Sequence, residues 1–262
     1  MDEAFLAYRS MVESSTLRSI WVDVYRDRLW EEAAPPATMA TIDDIRFVTD
    51  HVNPQETSRI VELGCGSGGL SRYLARAFGS DVVGLDIDPL AVRLAQEQTT
   101  NQPYSSKLVF EARDISTTRL PDNAFDGAVS LDVLLFPKDK ESVLREARRI
   151  LKPGGRFCGT TWELRAPSVA LSAPAFEDYT GAFEAAGLIV EVYEETDGWK
   201  PLLEGVLAGI RARDADIARE VPPARHDRMR NWSQVRPGEL GDNRRTRFCV
   251  RKPQTSASPR GS

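Results

Sequence analysis

The chain has 262 residues and a formal net charge of −5 at pH 7, which is enough length for one sizeable hydrophobic core. No polybasic tract indicates a nucleic-acid partner, and no apolar run near the N-terminus has the length of a membrane span or signal peptide. Because three scattered cysteines and two histidines indicate neither disulfides nor a metal site, we expect a cytoplasmic protein with no metal and no membrane partner.

Residues 1–52 are expected to form helices that precede the first strand. A proline-rich break at 33–36 ends the first of them, and the spacing of Thr41 and Asp44 predicts the N-terminal cap of a second. Trp30, beside the break, is a candidate lid over a ligand. The first helix is predicted from apolar residues at helical spacing, which are Leu17, Ile20, Trp21 and Val24.

A short apolar strand at 60–63 ends in a glycine-rich turn, and a helical pattern begins at Leu70. Glycine permits the unusual backbone angles of such a turn and lets a ligand approach backbone N–H groups. The following helix presents its N-terminal N–H groups and positive dipole end to that ligand. The stretch therefore predicts a site for an anionic or strongly polar part of a small molecule.

The glycine spacing alone leaves the class of ligand open. Gly64, Gly66 and Gly69 satisfy the G-x-G-x-x-G fingerprint of dinucleotide-binding proteins. The turn has two further features besides this spacing, namely Glu62 before the first glycine and a fourth glycine at Gly68. The choice between the readings depends on the rest of the chain.

From residue 59 onward, strands and helices alternate, which predicts an α/β fold with a mostly parallel sheet covered on both faces. The helix at 199–210 is expected to be a core helix or the contact of a homodimer. The stretch 222–243 is expected to be a loop, and so long a connection permits the last strand to be antiparallel. The predicted strands are 60–63, 82–86, 107–112, 125–131, 156–161, 188–193 and 246–250, and the other predicted helices are 70–78, 89–99, 140–151 and 175–186. Basic residues flank the last strand and are expected on a solvated face, namely Arg244, Arg245, Arg247, Arg251 and Lys252.

Ligands of such sheets bind at the carboxyl ends of the strands. Asp86 ends the second strand, about 20 residues beyond the glycine turn, where a carboxylate can accept both ribose hydroxyls of an adenosine. Asp114 follows the third strand and could reach an adenine amino group, with Ile87 and Ile115 on the two faces of the ring. The alternative for Asp114 is an ordinary polar strand end.

The fourth and fifth strands are expected to end near the reacting part of the ligand. Ser130 and Asp132 lie at the end of the fourth strand, beside the glycine strand of a doubly wound sheet. The fifth strand ends in Trp162 and Glu163. Trp162 is either a wall of the substrate pocket or part of the core.

Together these segments resemble the class I S-adenosylmethionine-dependent methyltransferases, and more narrowly the small-molecule enzymes of the ubiquinone/menaquinone-biosynthesis type. The resemblance rests on the segments 61–68, 84–88, 113–115, 125–128 and 151–157. It implies a Rossmann-like seven-stranded sheet with an antiparallel last strand, an N-terminal helical lid at 1–52, a cofactor-binding domain at 53–253 and a disordered tail at 254–262. The implied cofactor is S-adenosylmethionine, which leaves as S-adenosylhomocysteine, and its implied contacts are Glu62, Gly64, Cys65, Gly66, Gly68, Asp86, Ile87, Asp114, Ile115 and Ser130.

Two departures from relatives narrow the chemistry. Many relatives carry a histidine shortly after the position of Asp132, whereas residues 134–137 are Leu-Leu-Phe-Pro here. The Asn/Asp-Pro-Pro-aromatic motif of enzymes that methylate base amines is also absent, since residues 130–133 read Ser-Leu-Asp-Val. A base is optional for methyl transfer from a sulfonium, and Asp132, Glu163 or His51 could remove a proton where the acceptor requires it.

The predicted activity is methyl transfer to an O, N or C atom of a small, fairly apolar metabolite, in natural product biosynthesis. Trp30, Phe136 and Trp162 are the candidate pocket residues. One alternative is a protein that binds S-adenosylmethionine without methylating, as a sensor, scaffold or cyclase. A nicotinamide oxidoreductase is the other alternative, and the sequence lacks the Tyr-x-x-x-Lys pair that would favour it.

Overall fold

A computed structural model describes residues 14–29, 39–163, 176–235 and 243–254. A seven-stranded sheet forms its centre, with the strand order β3-β2-β1-β4-β5-β7-β6. The strands are β1 (Arg59–Leu63), β2 (Asp81–Asp86), β3 (Leu108–Ala112), β4 (Phe125–Leu131), β5 (Leu151–Glu163), β6 (Ile189–Glu195) and β7 (Arg244–Arg251). The helices are α1 (Ser15–Tyr25), α2 (Ile42–Val52), α3 (Gly69–Phe78), α4 (Pro89–Thr99), α5 (Lys140–Ile150), α6 (Thr180–Ala185), α7 (Trp199–Ala212), α8 (Asp214–Glu220) and α9 (Pro223–Ser233), with two short 3-10 helices at Arg26–Arg28 and Ser105–Lys107.

The predicted mostly parallel sheet with an antiparallel last strand is confirmed, and β4 lies beside β1 as expected. β1 pairs in parallel with β2 on one side and with β4 on the other, while β7 runs antiparallel to both β5 and β6. Glu163 at the carboxyl end of β5 lies opposite Arg244 at the start of β7. The chain therefore enters β7 from the carboxyl edge of the sheet, which fixes the reversed direction of this strand.

Helices cover both faces of the sheet, as the alternation predicts. α2 and α3 pack on one face through a cluster that includes Ile45, Val48 and Leu74, and α5 and α6 pack on the other through Leu144 and Phe183. The predicted cap of α2 is confirmed, because Thr41 and Asp44 form a complete capping box. Among the residues that the structure describes, no helix has the length and apolarity needed to cross a membrane.

The sequence prediction of a loop over 222–243 is wrong for Pro223–Ser233, which forms α9. Proline is tolerated in the first turn of a helix, where its missing N–H would have no intrahelical partner. The inward residues His226, Met229 and Ser233 recur at helical spacing, but charged residues between them conceal the pattern. Residues 236–242 of the same stretch lie outside the described part of the chain.

A helical cap, made of α1 and α7–α9, packs at the carboxyl edge of the sheet. Leu17 and Trp21 of α1 share an apolar cluster with Val206 and Ile210 of α7, and the rings of Trp21 and Trp232 stack 6.2 Å apart. The apolar face of α7 is thus covered by helices of the same chain, which settles the core alternative for this helix. Whether residues 1–52 act as a lid separate from the domain 53–253 stays a prediction.

We predict that Gly209→Ala weakens the packing of α1 on α7. A Cβ at Gly209 would lie 2.5 Å from Cγ2 of Ile20, which must then shift, and overpacking of this kind typically costs about 1–3 kcal/mol. The gain in helix propensity, about 0.5–1 kcal/mol, offsets part of that cost. The free energy of unfolding from urea titration should therefore fall by about 1 kcal/mol.

Gly181→Ala is the matched control, because a Cβ at Gly181 in α6 would meet nothing within 4 Å. This variant should be as stable as the parent or up to about 1 kcal/mol more stable. Equal effects of the two substitutions would contradict the close contact between α1 and α7.

Candidate functional site

The glycine turn adopts the left-handed backbone that its sequence predicts. Gly64, Gly66 and Gly68 have φ values of +81°, +53° and +80°, a region that other residues rarely enter. A Cβ at Gly68 would also lie 2.7 Å from Cζ of Phe110. The turn is closed onto β2, since the backbone N–H of Gly64 donates to the Leu85 carbonyl oxygen at 2.8 Å. Its shape is therefore set by the sheet beneath it.

Glu62 lies beneath this turn and is 3% exposed. Its carboxylate accepts a 2.5 Å hydrogen bond from the Ser71 hydroxyl in the first turns of α3. Burial raises the pKa of Glu62 to about 8, although the hydrogen bonds from Ser71 act in the opposite direction. Glu62 thus connects β1 to the start of the helix that follows the turn. Its predicted contact with the cofactor stays a prediction.

Asp86 joins the glycine turn to the start of α4. Its two carboxylate oxygens accept backbone N–H groups from Gly66 and Asp88, each at 2.9 Å. Burial raises the pKa of Asp86, and these two N–H groups lower it in part. Asp88 caps α4 by accepting the Leu90 N–H at 3.0 Å. The structure therefore places Asp86 directly beside the turn.

The end of β3 lies next to the end of β2, because the Arg113 N–H donates to the Asp86 carbonyl oxygen at 2.8 Å. Asp114 follows and is exposed, with its carboxylate accepting from the backbone and hydroxyl of Ser116. Ile87 is 53% exposed, whereas Ile115 is 7% exposed. An exposed apolar side chain and an exposed carboxylate thus adjoin Asp86. Together with the glycine turn, the carboxylates of Asp86 and Asp114 and the side chain of Ile87 fit an adenosine-containing group.

Ser130 and Asp132 extend the site to β4. The buried Ser130 hydroxyl donates to the Leu63 carbonyl oxygen at 2.8 Å, at the base of the glycine turn. The Asp132 carboxylate accepts from Arg245 Nε at 2.9 Å and from the Thr160 hydroxyl at 3.0 Å. Arg245 also contacts Asp44, with 2.9 Å between Nη1 and Oδ2. Such partners favour an anchoring role for Asp132 over proton abstraction.

The expectation that the basic residues flanking β7 lie on a solvated face is wrong for Arg245, which is 1% exposed. Arg245 was also missed as a residue of the site. Successive side chains of a strand point to opposite faces, so Arg245 lies on the same face of β7 as the buried Cys249. This alternation was the available signal that the side chain of Arg245 points inward. Its partners Asp44 and Asp132 are remote in sequence, and no motif connects them.

Glu163, the second candidate base, is fully buried at the end of β5. Its carboxylate accepts hydrogen bonds from the Tyr193 hydroxyl and from Arg244 Nη1, the latter at 3.0 Å. Burial, and then the hydrogen bond to Glu163, raise the pKa of Tyr193. Both carboxylates that were predicted as bases are therefore paired with arginines of β7.

His51 lies at the opposite edge of the sheet from the glycine turn. It occupies the last turn of α2, where its carbonyl oxygen faces Arg156 and the neighbouring Val52 packs over Gly127 near the start of β4. A histidine at the amino ends of the strands is too remote to take a proton from a substrate at the carboxyl ends. The suggestion of His51 as a base is therefore wrong.

The predicted pocket residues have different environments. Trp162 is 8% exposed and packs edge to face on Trp199 of the cap, with ring centroids 4.9 Å apart. Phe136 is 43% exposed at the same edge of the sheet. Trp30 lies outside the described residues. Trp162 thus belongs to the contact between sheet and cap, and a role for these residues in a substrate pocket stays a prediction.

Comparison with known proteins agrees with this arrangement. Residues 61–159 match the family described as "Methyltransferase domain". A tocopherol O-methyltransferase of Arabidopsis thaliana is 27% identical over 159 residues, which are 55% of this chain and 46% of that protein. This chain is similar to the class I S-adenosylmethionine-dependent methyltransferases, through residues 61–159. It spans less than half the length of the curated relatives it matches.

Solved structures confirm the fold of this chain. The structure of the [4+2]-cyclase SpnF has a TM-score of 0.78 and 20% identity, over 97% of this chain and 98% of the other. The phosphoethanolamine N-methyltransferase 2 of Haemonchus contortus, in complex with phosphomonomethylethanolamine and S-adenosylhomocysteine, has a TM-score of 0.72 and 17% identity. That match covers 97% of this chain and 61% of the other. At such identities the likeness concerns the fold.

We predict that the raised pKa of Glu62 makes the ligand-free protein less stable as pH rises. The folded carboxyl retains its proton up to about pH 8, whereas an unfolded glutamate loses it near pH 4.5. Between these values the folded state binds more protons, so stability falls with increasing pH. Glu62→Gln should remove this slope and, at pH 9, raise the free energy of unfolding by on the order of 3 kcal/mol.

Urea titrations from pH 5 to pH 9 measure this effect. The same substitution at the exposed Glu97 of α4 should leave the pH profile of the parent protein unchanged. A Glu62→Gln profile that follows the parent would contradict a buried, protonated Glu62.

Proposed function

We propose that this protein binds S-adenosylmethionine and transfers its methyl group to an O, N or C atom of a small, fairly apolar metabolite, releasing S-adenosylhomocysteine. The observation that carries the proposal is the meeting of the left-handed glycine turn, Asp86 and the Ile87–Asp114 surface at one edge of the sheet. The match of residues 61–159 to a methyltransferase family supports the same activity.

Each part of this edge would hold one part of the cofactor. In the proposal, the turn from Gly64 to Gly68, with Cys65 in its middle, holds the methionine moiety, and Asp86 accepts the ribose hydroxyls. Asp114, Ile87 and Ile115 surround the adenine ring, above the buried Glu62 and Ser130. When bound, the cofactor supplies an activated methyl group on a sulfonium.

The protein's contribution to the reaction is then alignment and exclusion of water. Alignment of two reactants can lower a barrier by about 7–11 kcal/mol without any proton transfer. The pairing of Asp132 with Arg245 and of Glu163 with Arg244 supports a reaction in which neither carboxylate acts as a base. Methyl transfer that requires no strong base at these positions fits this arrangement.

The acceptor side of the site is apolar. Leu135 and Trp162 at the ends of β4 and β5 share a cluster with Trp199 and Leu203 of α7, and Phe136 is exposed nearby. The exposed Phe136 beside this buried apolar cluster supports a fairly apolar acceptor, as in natural product biosynthesis. The cytoplasmic location and the homodimer expected from the sequence remain predictions.

A second candidate is a protein that uses the same cofactor without methylating. Its supporting observation is the similarity in fold, over 97% of the chain, to the solved structure of a [4+2]-cyclase. The two candidates share the cofactor site and differ in the fate of the methyl group.

We predict that the purified protein transfers methyl groups from S-adenosylmethionine with a labelled methyl to a pool of phenolic, quinone, terpenoid and amine acceptors. The measurement is label in extracted products together with S-adenosylhomocysteine by mass spectrometry. Labelled product and an equal amount of S-adenosylhomocysteine are expected. Tight cofactor binding with no transfer to any acceptor would favour the second candidate.

We predict that Asp86→Asn weakens binding of S-adenosylhomocysteine about 10- to 100-fold in titration calorimetry, because charge-assisted hydrogen bonds to ribose are lost. The control is Asp81→Asn at the other end of β2, where the carboxylate pairs with Lys107 at 3.1 Å. This control should bind as the parent does. Unchanged affinity in Asp86→Asn would contradict the ribose assignment.

A further inference from the structure

Arg245 is the centre of a buried group of charges at the carboxyl edge of the sheet. Its guanidinium donates to Asp132 through Nε at 2.9 Å and Nη2 at 3.2 Å, and to Asp44 through Nη1 at 2.9 Å. Nη1 also lies 3.3 Å from the Thr196 hydroxyl. Arg245, Asp44 and Asp132 are 1%, 3% and 7% exposed. One side chain from the last strand thus contacts three other segments of the chain.

The first of these segments is the turn after β4. Asp132 has a φ of +57°, which is uncommon for a residue with a side chain. Its backbone N–H donates to the Thr160 carbonyl oxygen at 3.0 Å, and its carboxylate is fixed by Arg245. The next residue, Val133, lies over the glycine turn, since a Cβ at Gly64 would be 2.4 Å from Val133 Cγ2. The orientation of Asp132 therefore determines how Val133 packs on the glycine turn.

The second segment leads into α2. Asp132 Oδ2 accepts the backbone N–H of Met39 at 3.0 Å, and Met39 packs against the apolar clusters of the cap and of Trp162. Asp44, the other carboxylate on Arg245, closes the capping box of α2 with Thr41. Arg245 therefore holds the N-terminal segment and the turn after β4 in one arrangement.

We propose that Arg245 is a positioning residue of the methyl-transfer site, which holds Val133 against the glycine turn and holds the segment at Met39 beside it. The proposal rests on the function proposed above. Arg245 touches neither cofactor nor substrate in this scheme and acts through Asp132. Buried ion pairs contribute little net stability compared with apolar packing, so a role in fixing a specific arrangement accounts better for two buried carboxylates on one arginine.

The planar fork of arginine is essential to this role. Burial opposes the charge of Arg245, but the attraction of Asp132 and Asp44 outweighs it and raises its pKa, so the group stays cationic. Three different guanidinium nitrogens reach two carboxylates that lie on different segments. A lysine keeps the charge but has a single nitrogen, and it cannot hold both carboxylates in the same geometry.

The test compares Arg245→Lys with Arg247→Lys, a control on the same face of β7 that pairs with Glu194 of β6. Dissociation constants for S-adenosylhomocysteine are measured by calorimetry, and folding is checked by circular dichroism and Tm. Arg245→Lys should weaken binding at least tenfold, whereas Arg247→Lys should change it less than twofold. A merely structural role predicts a lower Tm with unchanged affinity, and that result would overturn the proposal.

A double-mutant cycle separates positioning from general damage. Val133→Ala should also weaken binding, and the double variant Arg245→Lys/Val133→Ala should be no weaker than the more affected single variant, because both changes disturb one contact. Additive effects would overturn the proposal. If Arg245→Lys fails to fold, Thr160→Val replaces it in the cycle, since this change removes one donor to Asp132.

Binding of S-adenosylhomocysteine by the parent protein separates a failure of the proposed function from a failure of the role of Arg245. If the parent does not bind S-adenosylhomocysteine, both the proposed function and the role of Arg245 are rejected. If the parent and Arg245→Lys bind S-adenosylhomocysteine equally well, only the role of Arg245 is rejected and the cofactor assignment is retained.

Discussion

The parallel pairing of β1 between β2 and β4 is the constraint on which the site depends. Leu63 lies opposite Leu85 on one side, and Glu62 lies opposite Val129 on the other. The chain continues to one side of β1 for β2 and β3 and to the other side for β4, so a crevice opens where β1 ends. The glycine turn crosses this crevice, and hydrogen bonds from Gly64 and Cys65 to the Leu85 carbonyl oxygen hold it there.

At this edge the ends of β1, β2, β4 and β5 carry four buried or partly buried carboxylates, and the partners of these carboxylates differ between the two halves of the edge. Beside the glycine turn, hydroxyl and backbone N–H groups compensate the acids, whose pKa values burial raises. Beside the cap, arginines of β7 compensate the acids, because a buried charge without a partner would be costly. The first half suits recognition of a polar ligand, and the second joins the sheet to the cap and the N-terminal segment. The four residues are Glu62, Asp86, Asp132 and Glu163.

Local sequence was sufficient for most of the fold and for the half of the site beside the glycine turn. The order of strands and helices follows from apolar periodicity. The glycine turn requires left-handed backbone, and the spacing of Thr41 and Asp44 predicts a capping box. Each of these features depends on residues that are close together in the sequence. Asp86 was placed correctly beside the turn because parallel strands bring their carboxyl ends to one edge. The helix Pro223–Ser233 was missed because its three inward residues are separated by charged ones.

Patterns within short segments predict the mostly parallel sheet and the residues that meet at the end of β1. Long-range packing set the partners in the other half of the site, namely the pairing of Arg245 with Asp132 and of Arg244 with Glu163. The physical reason is distance along the chain. Arg245 and Asp132 are 113 residues apart, and they meet because the cap helices return the chain to the carboxyl edge and β7 pairs with β5 in one register. No periodicity or motif within one segment predicts the contact between Arg245 and Asp132. Packing of the sheet and the cap brings these two side chains together, so that both buried charges have a partner.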